Sequence, residues 1–213
     1  MLTEENAKRR SWELEFCRGF LEHHCIYRSP PGGPSLVHRS GAVNEWQFFM
    51  PVALLDQEFV TAFGTLFWDV YGPKFDKQEF QLCGVESGGS LLVSQLQGAG
   101  RRRGHMASAC MIKKRPKTYG LQNLFEGIIH ESLPLVLVDD VVASGGTLET
   151  AKMHCTNAGL VVGEMVALCA SKDLYKSRIP DVKLFYGADQ FNRTWAEYHR
   201  TYGQEPAFRG SLI

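Results

Sequence analysis

Neither sign of charge is in excess in this 213-residue chain, where 23 Lys and Arg face 23 Asp and Glu. That balance argues against broad, non-specific binding to nucleic acid, which draws most of its affinity from a basic surface. A small polyanion held by a local cluster remains compatible with it. No uncharged apolar stretch approaches the roughly 20 residues of a membrane-spanning helix. The first ten residues carry Glu4 and Glu5 with no apolar run behind them, unlike a secretory signal. The six cysteines form no Cys-x-x-Cys pair, and the chain is too long and too apolar to need a disulfide frame. Reduced thiols in a soluble, cytoplasmic protein are therefore expected. His23 and His24 beside Cys25 lack a second ligand cluster, which argues against structural zinc. Gly98-Ala99-Gly100 leads into Arg101–Arg103, a solvated turn rather than a dinucleotide fingerprint, and no Walker A sequence occurs.

What is present reads as one core. The length suits a single domain over 1–213, with residues 1–50 as an N-terminal addition. Residues 4–24 space Trp12, Phe16 and Phe20, with Leu14, Cys17 and Leu21 beside them, as the stripe of an amphipathic helix. The Pro- and Gly-rich stretch over 28–45 reads as a loop. Helical spacing returns over 52–70, with a stop signal at Gly72-Pro73. From residue 80 the pattern alternates. Strands are expected at 80–85, 105–112, 134–138 and 160–169, and helices at 90–97 and 147–158. That order predicts an α/β fold with a central, mostly parallel sheet flanked by helices. Residues 113–132 are polar and read as a mobile loop. Residues 190–213, with Trp195, Tyr198, Tyr202 and Phe208, read as a helix and tail lying on the sheet or at a dimer interface.

The sharpest motif is Val136 to Leu148. A continuous apolar run, as in a strand buried on both faces, ends in Asp139 and Asp140. The small turn Ala143-Ser144-Gly145-Gly146-Thr147 then opens a helix. Backbone N–H groups at such a helix start suit a phosphate dianion. The acid pair suits sugar hydroxyls or a hydrated Mg²⁺, or is simply a solvated strand end. Gly84 to Ser90, between strand and helix, is either a structural turn or a set of backbone donors for a pyrophosphate. Lys113 to Gly120 is a basic cluster, either a solvated face or an anion contact.

In this order the three segments resemble the type I phosphoribosyltransferases, most closely the orotate phosphoribosyltransferase branch, over about residues 80–170. The resemblance implies a small N-terminal hood over the sheet. It also implies Mg²⁺-dependent transfer of a 5-phosphoribosyl group from phosphoribosyl pyrophosphate (PRPP) to a nucleobase, orotate first. Asp139 and Asp140 would contact the ribose and its metal shell, and Ala143, Ser144, Gly145, Gly146 and Thr147 the 5-phosphate. Glu86, Ser87, Gly88 and Gly89 would face the pyrophosphate together with Lys113, Lys114 and Tyr119. Lys114, Lys117 and Asp140 would be the catalytic groups, with Lys117 reaching the neighbouring site of a homodimer. Tyr119 stands where the family usually has histidine.

The N-terminal match is looser. Ser40-Gly41 lacks the basic residue expected at Ala42 or Val43. The aromatics of Trp46-Gln47-Phe48-Phe49, with Phe48 and Phe49 foremost, either stack on the base or form a core strand. Lys172, in Ala170 to Asp173, is the nearest basic residue to the expected carboxylate site, and it pairs with a carboxylate without an arginine's fork. Transfer to another base, a PRPP-sensing regulator without turnover, and a degenerate structural relative are the competing readings.

Overall fold

The chain enters the sheet through an N-terminal helix and a short hood in the computed structural model, which describes residues 4–34, 36–37, 43–114, 123–172 and 176–204. Helix α1 (Glu4–Phe20) ends in a wide turn over Leu21–Cys25. Four short strands follow: β1 (Ile26–Arg28), β2 (Leu36–Val37), β3 (Val43–Asn44) and β4 (Trp46–Phe48). β1 pairs antiparallel with β4, Ile26 opposite Phe48, and β2 pairs antiparallel with β3. Within the segment expected as a loop, β2 and β3 thus form a small ribbon, and the β1–β4 ribbon flanks it.

Helices α2 (Pro51–Leu54) and α3 (Gln57–Phe75) lead into β5 (Gln81–Val85), α4 (Gly88–Arg102), β6 (Ala109–Ile112) and β7 (Phe125–Gly127). Then come β8 (Leu135–Val142), α5 (Gly146–Asn157), β9 (Val162–Ala170), β10 (Lys183–Tyr186) and α6 (Trp195–Tyr202). The six-stranded sheet runs β10-β9-β8-β5-β6-β7. Its neighbours are parallel except β6 and β7.

Alternation along the strands divides the core in two. Leu82, Val136 and Val138 face the layer of α1, α3 and α4, and Cys83, Leu135 and Leu137 face α5. Burial on both faces is why β8 reads as an unbroken apolar run. The six cysteines are buried free thiols. Among the described residues no helix is long and apolar enough to cross a membrane.

Several expected boundaries shift, each for a local reason. Of the expected N-terminal stripe, Cys17 and Leu21 are buried and Phe20 lies 5.2 Å from Phe59 of α3, whereas Trp12 is 58% exposed and stacks on Phe16 at 5.3 Å. The helix expected over 52–70 is broken where the Asp56 carboxylate accepts the Phe59 N–H at 2.8 Å and starts α3. Gly72-Pro73 does not stop α3: the Asp76 N–H reaches Gly72 O at 2.9 Å, so the ladder closes around the proline in the last turn. Gly72 is there for packing, because a Cβ would lie 2.6 Å from the His105 ring.

Gly100 likewise lies against Trp68, and α4 runs through it, so Arg101 and Arg102 sit in a helix's last turn rather than a loop. Arg103 follows and pairs with Asp69. β6 is shorter than expected, β7 lies within the stretch read as loop, and β10 carried no signal that was read. The strand expected at 134–138 extends to Val142, which puts both acids inside it.

The far C-terminal region packs on the N-terminal one. Arg28 and Glu22 are fully buried and pair at 2.5 Å, Arg28 Nε donates to Asn192 O at 2.6 Å, and the Asn192 N–H donates to Glu22 at 3.1 Å. The guanidinium lies over the Tyr198 ring at 4.2 Å. Helix α6 therefore braces the hood, and Phe208 lies outside the described residues.

Candidate active site

At the carboxyl end of β8 the chain leaves the sheet beside α4 and turns into α5, and this is where the acid pair stands. Asp139 is 7% exposed, with its side chain accepting the Asp140 N–H at 3.0 Å, and Asp140 accepts the Val141 N–H at 2.9 Å. Burial, then the adjacent Asp140 charge, push the Asp139 carboxyl well above the usual carboxylate range, and the Lys114 ammonium pulls it back. Gly145 caps α5 at φ +79°, a left-handed conformation that favours glycine. The first N–H groups of α5 lack intrahelical partners and lie at the positive end of its dipole.

Gly88 and Gly89 bring α4 hard against the same strand end. A Cβ on Gly88 would fall 2.0 Å from an Asp140 carboxylate oxygen, and one on Gly89 would fall 2.3 Å from Val138 O. The glycines here allow close approach, a role beyond the donor loop read from the sequence. The Glu86–Ser87 peptide is cis.

One cleft of about 700 Å³ takes in Ser87, Gly88, the acid pair and the whole turn Ala143–Thr147. Phe48, Phe49 and Lys172 line the same cleft, so the structure brings the expected base-side residues together with the acid pair and the turn. Trp46, expected among the aromatics, lines it too. So do Asn44, Gln47, Met50, Leu54, Leu91 and Ser171, which sequence reasoning had not singled out for the site. Gln47 stands between Trp46 and Phe48 in the same short strand, which was its one available signal. Phe48 stands edge-on to Trp46 at 5.6 Å and to Phe191 at 5.3 Å.

The remaining expected residues sit around this cleft. Glu86 accepts the Lys114 N–H at 3.2 Å and ties the ends of β5 and β6 together. Lys114 is exposed and, with Thr150 and His154, lines a smaller cleft of about 180 Å³ on the flank of Gly146 and Thr147. Lys113 is 3% exposed, donates to Asn123 O at 3.2 Å and pairs with Glu126, which engages its charge in the β6–β7 ribbon. Lys117 and Tyr119, and Ala42 on the hood side, lie outside the described residues.

Comparison with known proteins gives a consistent direction. No family model matches the chain. The curated orotate phosphoribosyltransferase of Bradyrhizobium diazoefficiens is 30% identical over 141 residues, covering 64% of this chain and 74% of that protein. A solved orotate phosphoribosyltransferase of Mycobacterium tuberculosis superposes with a TM-score of 0.64 at 16% identity, over 85% of this chain and 98% of that one. The adenine phosphoribosyltransferase of Trypanosoma brucei superposes with a TM-score of 0.60 at 17% identity, over 92% and 87%. The structural matches show the shared sheet-and-hood fold. Taken with the sequence relative, they show that the chain belongs to the orotate phosphoribosyltransferase family, a pentosyltransferase branch of the type I phosphoribosyltransferases.

Proposed function

We propose that the chain transfers the 5-phosphoribosyl group of PRPP to a ring nitrogen of orotate, giving orotidine 5'-monophosphate and pyrophosphate in a Mg²⁺-dependent reaction. The observation that carries this reading is the single cleft that an acid pair and a phosphate turn line together with an aromatic wall and a lysine. The free N–H groups at the start of α5 suit the 5-phosphate, and the Asp140 carboxylate beside Gly88 suits the ribose hydroxyls.

Asp140, half-buried, offers hard oxygen donors of the kind Mg²⁺ takes and fits its shell through water, while Asp139 is buried beside it. Bound there with the substrate, Mg²⁺ supplies charge neutralisation for the leaving pyrophosphate. As the bond from C1 to the pyrophosphate oxygen breaks, positive charge grows on the sugar and negative charge on the leaving group. Carboxylates near the ribose and the Lys114 and Lys117 ammonium groups near the pyrophosphate oppose both. Phe48 and Phe49 hold the planar base, and Lys172 pairs with its carboxylate.

Lys117 acts on the partner's site in a homodimer of this reading. Lys117→Ala lowers turnover about 10²–10³-fold with the thermal midpoint unchanged, and mixing it with Asp140→Asn restores activity in heterodimers. The deciding assay is pyrophosphate release from PRPP and Mg²⁺ against orotate, uracil, hypoxanthine, guanine, adenine and no base. Release with orotate alone supports the reading, and release with another base replaces the substrate. Saturable PRPP binding with no release on any base turns the protein into a sensor.

A further inference from the structure

Among the described residues that line the cleft, Asp139, Asp140 and Lys172 carry formal charge, and Lys172 is the single cation, with Phe48, Phe49, Met50 and Leu91 on the same lining. Lys172 is also held: its Nζ donates to Asn44 Oδ1 at 3.2 Å, across 128 residues of sequence. Asn44 is itself placed by the β2–β3 ribbon, opposite Leu36, while Lys172 follows the end of β9.

A lysine ammonium has three N–H donors and an asparagine amide has one acceptor oxygen and an NH₂ group. With one ammonium proton engaged by Asn44, two remain, and the Asn44 NH₂ sits next to the engaged oxygen. A lysine alone is a point charge without the two-pronged geometry that suits a carboxylate. Lysine and amide together present a positive charge and adjacent donors, which is the chemistry of a fork assembled from two side chains.

We propose that Asn44 and Lys172 act as one composite group that reads a planar carboxylate on the base, with Asn44 as a specificity-determining residue. This rests on the reading of the base given above. Asn44 orients the ammonium through its oxygen and adds a donor of its own, so the hood ribbon contributes directly to the choice of acidic over neutral bases.

Steady-state kinetics with orotate and with uracil, together with the Kd for PRPP, test it on four chains: wild type, Asn44→Ala, Lys172→Ala, and Asn44→Ala combined with Lys172→Arg. Asn44→Ala raises the KM for orotate about tenfold, the scale of one hydrogen bond to a charged group, with kcat and PRPP affinity within about twofold. The double variant regains most of the lost orotate affinity, because a guanidinium carries its own fork. An unchanged orotate KM in Asn44→Ala, while Lys172→Ala raises it, overturns the role of Asn44 and leaves the proposed reaction standing. Failure of the double variant to recover overturns the composite fork. Wild-type chain that binds PRPP and releases no pyrophosphate with orotate overturns the reading of the base, and this inference with it.

Discussion

One part of the cleft's lining comes from a single continuous stretch, Asp139–Thr147, whereas the rest is assembled from Asn44, Trp46 to Pro51, Leu54, Leu91, Ser171 and Lys172, with Ser87 and Gly88 between. In the first, a strand, a left-handed glycine and a helix start place backbone groups, and the side chains that matter are two adjacent acids. In the second, side chains are positioned by a hood whose own anchor is the buried Glu22–Arg28 pair with Asn192 and Tyr198. A site made of backbone tolerates changes of side chain and is sensitive to a single methyl group. A site made of distant side chains depends on whatever holds its walls.

That contrast can be broken at its anchor. Glu22→Gln removes the carboxylate that pairs with the buried Arg28 guanidinium, and loss of one partner of such a pair costs about 3–5 kcal/mol. Urea unfolding measures this, and base KM rises before PRPP affinity falls; equal loss of both would merge the two parts. Gly88→Ala attacks the other part, because the new methyl collides with the Asp140 carboxylate. We expect kcat/KM to fall about 10²–10³-fold, the cost of displacing one charge-stabilising group, by a similar factor with every accepted base.

Phe48→Ala removes one aromatic wall and raises the base KM about two- to tenfold, with the PRPP Kd unchanged in a binding titration. The smallest effect lies in the brace. Backbone N–H donors of Thr194, then of Arg193, hold the Glu197 carboxyl below its usual range in the capping box of α6. Glu197→Ala costs about 0.5–1 kcal/mol near neutral pH. Because the folded carboxyl titrates lower than the unfolded one, this stabilisation is complete above about pH 4.3 and is lost as pH falls through the depressed value. Thermal midpoints of the two chains should therefore converge in acid.

Much of the sheet was legible because its signals are local. The unbroken apolar run into Asp139 and Asp140, and the small turn after it, marked strand, strand end and helix start within a dozen residues. A misreading came where one residue type serves two purposes: Gly72 read as a stop signal, yet it is small because His105 lies against it, as Asp140 lies against Gly88 and Trp68 against Gly100. In the stripe read for α1, Cys17 and Leu21 are buried and Phe20 packs on Phe59 of α3, whereas Trp12 is left exposed, a choice made by what α1 packs against.

By itself the sequence determined the alternation of strands and helices and the contiguous acid pair and small-residue turn, because those depend on neighbours a few residues apart. Only the tertiary structure decided that Lys172 meets Asn44, that Phe48 lines one cleft with the acid pair, and that Lys113 is engaged by Glu126. Such contacts join segments that approach only after the sheet has closed and the hood has docked, so no local pattern encodes them.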